Sequence, residues 1–334
     1  MAVKIAVFGL GNVGKNFLRI LSESGEHLER SCGTGIDVAF AGDSRSLVDT
    51  NGIPTGSILK AKESGPVSGL GRSVTMEEVL DSGVDAIVDM SSASKDGMRE
   101  KAIYLKALEK GIHVVTANKS PLALHWKDII LVAEKRGLRI LHEATVAGGV
   151  PVFNFVKYSC GPSKVIAFRG IVSLTANFVL KLMLSGTPFM DAVKKAQQMG
   201  VAETDYTDDT SGLDAARKTV ILANALFGGQ FSLSDIIYSG LPELSEEEIV
   251  SHGNQLKLIS EISLKSGSLE VRTGFQRLKE GDYLLSLGEF SLGYEIETDN
   301  NGLLRVSSGH DGPRETASAV MNDVLILARE IGKK

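Results

Sequence analysis

Cysteine is nearly absent from this chain of 334 residues: only Cys32 and Cys160 occur, too few for a disulfide framework. Two thiols in a chain of this length fit buried side chains in a reducing compartment. No apolar run approaches the roughly 18 residues that a membrane-spanning helix requires. The N-terminus passes from Met1 through Lys4 to a short apolar run ending at Phe8, too short for the core of a secretory signal. There is no basic excess either. The net charge of −5 excludes a concentrated cationic face as the dominant feature, and with it nucleic acid as the main partner. Repeats and low-complexity tracts are also missing. What is there is an ordinary globular composition, 43% hydrophobic and 23% charged, with 36 glycines gathered at turns. The length implies two domains. A cytoplasmic protein with no membrane partner and a small-molecule ligand is the expectation.

The first part of the chain alternates strands with helices. Val3–Phe8, Ile36–Ala41, Val84–Asp89, Ile112–Thr116 and Arg139–Glu143 read as strands. Between them lie helical stretches at Asn12–Ser24, Gly97–Gly111 and Pro121–Gly137, and Thr75 with Glu78 forms a capping box for another. This pattern predicts an α/β domain with a doubly wound parallel sheet of Rossmann-like type. Beyond Pro151 the pattern becomes α+β. Helices are expected at Val152–Ser159, Thr175–Gly186, Pro188–Gly200 and Gly212–Gly228. Strands are expected at Val165–Ser173, Leu256–Leu264, Leu269–Phe275, Tyr283–Phe290 and Leu303–Val306. A helix from Pro313 to Ile331 closes the chain and returns to the first domain. The expected division is 1–141 with 310–334 for dinucleotide binding, and 142–309 for substrate binding and dimerisation.

Gly9-Leu10-Gly11-Asn12-Val13-Gly14 follows the first strand and opens an amphipathic helix. In that context G-x-G-x-x-G binds a dinucleotide: Gly9 makes the tight turn, Gly11 admits the pyrophosphate, and Gly14 lets helix and strand pack. The helix N-terminus offers free N–H groups to the anion. After the second strand, Asp43 suits the ribose hydroxyls of NAD, whereas Arg45 suits the 2′-phosphate of NADP. The residues leave that choice open, and leave open a plain solvated loop. Ser91 and Ser92 follow the third strand, where such a sheet holds its ligand, or form a simple polar loop.

Thr116-Ala117-Asn118-Lys119 follows the fourth strand, so Lys119 lies either beside the nicotinamide end of a cofactor or on the surface. The densest polar segment runs from Glu203 to Lys218. Within it Asp214 and Lys218 are four apart and share a helix face, as a site pair or as a solvated one. A calcium loop fails on spacing, because the twelfth position from Asp205 is Ala216. The segment His142–Pro151 is glycine-rich. Its carbonyls either face a cation or serve a domain hinge.

Together GLGNVG, VVTANKSPLA, HEATVAGGVP, GVAETDYTDDTSGLDAARK and GPRETASAVMNDVL resemble homoserine dehydrogenase, in register from residue 3 to about 330. The sequence departs from the family at Leu174, Val201 and His310–Asp311. The resemblance implies reduction of L-aspartate 4-semialdehyde to L-homoserine, in the pathway to threonine and methionine, with NAD or NADP as cofactor. It implies Lys218 as proton donor with Lys119 beside it, and Glu203, Asp214, Thr175 and Asp209 on the substrate. The cofactor would meet the glycine turn, Asp43, Arg45, Ser91, Ser92, Ala117, Lys119, Gly200, Gly312 and Glu315. A monovalent cation, Na+, would sit on Glu143, Val146, Gly148 and Val150, and the chain would form a homodimer. A lysinium near the carbonyl suits this chemistry, because it stabilises the growing negative charge and supplies the proton. Two rivals remain at this stage. One is a semialdehyde dehydrogenase that acylates a cysteine, for which Cys32 and Cys160 are poorly placed. The other is a nucleotide-binding protein without catalysis.

Overall fold

The computed structural model describes residues 2–92, 94–202, 205–265 and 267–332. The chain forms two compact units, Met1–Gly149 with Gly312–Lys334, and Val150–Asp311. The division falls eight residues after the expected boundary at 141. The reason is local: Glu143 donates its backbone N–H to Asp323 of the closing helix at 2.8 Å, which ties the 143–149 segment to the first unit. Gly149 lies so close to that helix that an added Cβ would sit 2.6 Å from the Glu315 Cβ.

The first unit is built on β1 (Val3–Phe8), β2 (Ile36–Gly42), β3 (Leu47–Asp49), β4 (Ala86–Asp89), β5 (His113–Thr116) and β6 (Ile140–Leu141). Their order is β3-β2-β1-β4-β5-β6, parallel throughout except for the antiparallel edge strand β3. Helices α1 (Asn12–Cys32), α2 (Thr55–Ser64), α3 (Met76–Asp81), α4 (Met98–Glu109) and α5 (Lys119–Arg136) connect them. The doubly wound expectation is met. The strand order reverses between β1 and β4, so a crevice opens at their carboxyl ends. Phe17, Leu18 and Leu21 of α1 join Val320, Val324 and Leu327 of the closing helix, Pro313–Ile331, in one apolar core. The capping box at Thr75 is present, with Thr75 Oγ1 accepting from Glu78 N at 3.2 Å and Glu78 Oε2 from Thr75 N at 2.7 Å.

The second unit holds α6 (Phe153–Ser159), β7 (Val165–Ile171), α7 (Thr175–Leu184), α8 (Phe189–Gln198), α9 (Thr207–Thr210), α10 (Leu213–Phe227), β8 (Ile237–Tyr238), α11 (Glu246–His252), β9 (Leu256–Lys265), β10 (Ser268–Arg277), β11 (Gly293–Thr298) and β12 (Gly302–Ser307). The sheet order is β12-β11-β7-β9-β10-β8, antiparallel except where β8 runs parallel to β10. One face packs on α10, where Thr219 Oγ1 hydrogen-bonds the hydroxyls of Ser260 at 2.7 Å and Thr273 at 2.5 Å. The other face carries cross-strand ion pairs, Arg272–Glu261, Arg169–Glu295 and Arg305–Glu295.

Several expectations are corrected. Tyr283–Phe290 is no strand: Asp282 caps a 3-10 turn at Tyr283–Leu285 by accepting from Leu284 N at 2.9 Å, and the strand is Gly293–Thr298. Strand β6 is two residues long, and Glu143 begins a 3-10 turn instead of ending a strand. Strand β3 and helices α2 and α11 were not anticipated; they are short and weakly periodic.

Candidate functional site

In the first unit the loops after β1, β2 and β4 converge on a cleft of about 1050 Å³. Gly11, Lys15, Arg45, Lys62, Ser91 and Ser92 line it. The glycine turn shows what the cleft is shaped for. Gly9 has φ +86°, and a Cβ there would lie 2.2 Å from Ser91 N. A Cβ at Gly14 would lie 2.3 Å from Gly9 O. Those two glycines are demanded by the protein itself. Gly11 is different: its φ of −78° suits any residue, and a Cβ would meet nothing within 4 Å. Its missing side chain leaves open space at the N-terminus of α1, where Asn12 and Val13 begin a 21-residue helix with no acidic residue in its first turn. An anion fits that space by charge and by shape.

Asp43 is not a free acceptor. Its Oδ1 accepts from Arg45 N at 2.9 Å, Ser46 N at 3.0 Å and Ser46 Oγ at 3.1 Å. Its Oδ2 accepts from Lys62 Nζ at 2.7 Å and Val67 N at 3.2 Å. Burial by itself would push this carboxyl up. The Lys62 ammonium and the N–H groups of Arg45 and Val67 outweigh burial and hold it well below the usual carboxylate range. Five donors occupy about all the lone-pair sites a carboxylate has. Arg45 itself is exposed at the cleft, and among the described residues neither its guanidinium nor the Lys15 ammonium enters an ion pair.

Lys119 opens α5, half-buried, directly after Ala117 and Asn118. Ser91 is half-buried and Ser92 exposed. Gly312 precedes the closing helix in extended backbone, φ −173°, and Glu315 lies in the first turn of that helix. Val146 is buried at 1% exposure, Gly148 is left-handed at φ +53°, and among the described residues neither carbonyl accepts a hydrogen bond. Those oxygens, with the backbone oxygen of Glu143, are the hard donors a monovalent ion takes; Val150 begins the second unit. Among the described residues no three His, Cys, Asp or Glu side chains gather as a metal site.

In the second unit, Asp214 lies in the first turn of α10 and Lys218 one turn later. The pair is not solvated. The two side chains are 8% and 13% exposed, with Lys218 Nζ 2.8 Å from Asp214 Oδ2. The same ammonium donates to Val172 O at 2.8 Å, and Ser173 Oγ donates to Asp214 Oδ2 at 3.2 Å. The end of β7 therefore aims the lysine. Thr175 is buried at the start of α7, and its hydroxyl donates to Val201 O at 2.8 Å. Leu174 has ordinary right-handed backbone (φ −84°, ψ −42°). No conformational need for glycine exists there. Asp209 is half-buried in α9, and Gly200 is left-handed and exposed after α8. Glu203 lies outside the described residues. Both cysteines are buried: Cys32 ends α1, with its thiol donating to Thr34 O at 3.0 Å, and Cys160 follows α6. Cys32 stands at the opposite end of the 21-residue α1 from the glycine turn, and both thiols are buried, which gives an acylating thiol no support.

Sequence reasoning missed Lys15, Lys62, Asp89, Tyr104 and Thr116. The last three form a buried hydrogen-bonded chain at the ends of β4 and β5. Only the buried positions of an acid and a tyrosine in apolar elements hint at it.

A family model described as homoserine dehydrogenase matches residues 151–325, and one described as the homoserine dehydrogenase NAD binding domain matches residues 9–143. Homoserine dehydrogenase of Sulfurisphaera tokodaii is 33% identical, over 98% of this chain and 99% of that protein. The crystal structure of homoserine dehydrogenase from Thermoplasma acidophilum aligns with TM-score 0.88 at 42% identity, covering 98% of this chain and 99% of that one. A hyperthermophilic archaeal homoserine dehydrogenase in complex with NADPH aligns with TM-score 0.83 at 26% identity, covering 97% of each chain.

Proposed function

The chain belongs to the homoserine dehydrogenase family of NAD(P)-dependent oxidoreductases, and on that premise we propose that Lys218 is the group that moves the proton in interconverting L-aspartate 4-semialdehyde and L-homoserine. The observation that carries this reading is the half-buried lysine held between Asp214 and the Val172 carbonyl. When bound, the nicotinamide supplies or takes up the hydride. In the reducing direction Lys218 Nζ gives its proton to the aldehyde oxygen as negative charge grows there; in the oxidising direction it takes the hydroxyl proton back. Asp214, with Glu203, Thr175 and Asp209, binds the amino-acid end, where an ammonium calls for carboxylates. Lys119, at the start of α5 in the first unit, is the second lysine that the family resemblance implies for the reaction.

The cofactor reading is NADP(H). A saturated Asp43 offers no acceptor to a ribose hydroxyl, whereas Arg45 and Lys15 offer uncommitted positive charge to a 2′-phosphate. The pyrophosphate would lie over Gly11 and the start of α1, with Ser91, Ser92, Ala117, Gly312 and Glu315 along the rest of the cofactor. Na+ on the backbone oxygens of Glu143, Val146, Gly148 and Val150 would stiffen the 143–150 segment. The protein is read as a cytoplasmic homodimer, paired through the sheet of the second unit, and its two free buried cysteines agree with a reducing compartment.

The deciding measurement is a spectrophotometric assay with homoserine and each oxidised cofactor. Expected are turnover with both and a lower KM for NADP+. Lys218→Ala is expected to lose about 10²–10⁴ in kcat, the usual weight of a positioned acid–base group, while still binding NADPH. Near-normal turnover in that variant removes Lys218 from the role.

A further inference from the structure

Strand β4 ends in a carboxylate after the apolar run Ala86, Ile87 and Val88, with Phe8 of β1 on one side of it and Thr116 of β5 on the other. Asp89 is 3% exposed, and burial raises its pKa. A charge in such a place persists only with donors arranged around it. They come from the loop after β4 and from helix α4. Ser91 gives its backbone N–H at 2.9 Å and its hydroxyl at 2.6 Å to Asp89 Oδ1. Tyr104, 1% exposed on α4, gives its hydroxyl to Oδ2 at 2.5 Å.

The tyrosine oxygen lies 2.7 Å from Thr116 Oγ1, and Thr116 Oγ1 accepts from Asn118 N at 2.9 Å. Because Tyr104 spends its one proton on Asp89, Thr116 must donate to Tyr104. The chain therefore has one direction: Asn118 N–H to Thr116, Thr116 to Tyr104, Tyr104 to Asp89. Its far end is the N-cap of α5, immediately before Lys119. That cap is not held by its own side chain: Asn118 makes no side-chain cap bond, and its amide atoms are buried without a partner among the described residues. Thr116 is the side chain that holds the Asn118 N–H, next to the Ala117 N–H that donates to the Asp89 carbonyl at 2.9 Å. At the other end, Ser91 N packs so closely on Gly9 that a Cβ there would overlap it.

We propose that Asp89, Tyr104 and Thr116 are positioning residues, a buried clamp that holds the glycine turn, the Ser91–Ser92 loop and the Lys119 turn in fixed mutual register for cofactor binding. The proposal rests on the reading that the cofactor lies along the carboxyl ends of β1, β4 and β5. Asp89 and Tyr104 also line the cleft wall, so the clamp acts from directly beneath the bound ligand. Loops free to shift by a fraction of an ångström lose cofactor affinity and alignment together.

The test compares Tyr104→Phe, Thr116→Val and Thr116→Ser in the full-length protein, by NADPH fluorescence titration and steady-state kinetics. Tyr104→Phe and Thr116→Val are expected to raise the Kd for NADPH and lower kcat, each about tenfold, with the homoserine KM within twofold of the parent. Thr116→Ser keeps the hydroxyl and is expected to restore both. If Tyr104→Phe fails to fold, the Thr116 pair carries the test alone. Parental Kd and kcat in folded Thr116→Val, or a Thr116→Ser variant as impaired as Thr116→Val, overturns the clamp. Failure of the wider reading is separable: NADPH titration does not depend on Lys119 or Lys218 chemistry, and a chain that binds neither cofactor would sink the cleft assignment before any variant is made.

Discussion

An alanine methyl at Gly9 would collide with the Ser91 peptide, and one at Gly14 with the Gly9 carbonyl, yet one at Gly11 would meet only empty space. Gly9→Ala is therefore a folding change, whereas Gly11→Val is a binding change. Gly11→Val is expected to leave the urea midpoint within the scatter of surface substitutions, about 0.5 kcal/mol, while raising the cofactor KM at least tenfold; an unchanged KM would detach the pyrophosphate from this turn. Asp43 works at the same scale but on stability. Its carboxyl is held below the usual range by Lys62 and backbone N–H groups, so its contribution is present in full above the unfolded value of 3.8 and disappears as pH falls through the lower folded value. Asp43→Asn leaves Lys62 without its buried partner and is expected to cost roughly 3 kcal/mol at pH 7. Urea unfolding of both proteins from pH 7 downward should give a constant difference to about pH 4 and a shrinking one below. A difference that grew in acid would contradict the sign.

Elements were legible where periodicity is strong. Strand β1, helix α10 and the closing helix stand almost where the hydrophobic pattern puts them, because each buries a continuous apolar face. The capping box before α3 was read from four residues, since both of its bonds are local. Thr75→Ala removes one of them and is expected to lower stability by about 1 kcal/mol, measurable as a shift in urea midpoint; a neutral result would mean the short helix is held by packing of Val79 and Leu80 alone. The error at Tyr283–Phe290 has the opposite origin. Alternating apolar residues there mimic a strand, but Asp282 both caps the following turn and pairs with Arg169 at 2.5 Å on β7. A non-local ion pair pins the segment as a turn, and no local pattern announces a partner 113 residues away.

At the scale of the whole molecule, the open face of the second sheet is an alternating ladder: Arg272, Glu261, Arg169, Glu295 and Arg305 stand side by side on β10, β9, β7, β11 and β12. With Asp282, which pairs with Arg169, three arginines meet three carboxylates, so a second copy approaches without stranding an unpaired ion. Sedimentation equilibrium is expected to give twice the 35.6 kDa chain mass; a concentration-independent monomer would reject pairing. Read alone, the amino-acid sequence determined the nucleotide-binding turn, the α/β-then-α+β order and the Asp214–Lys218 spacing, since all are short-range patterns set by backbone conformation and helix pitch. Tertiary structure alone decided that Asp43 is saturated, that Lys218 is gripped by the Val172 carbonyl, and that Asp89 reaches Asn118 through Tyr104 and Thr116. Each of these joins groups from separate elements, and a hydrogen bond depends on distances in space that spacing along a chain does not encode.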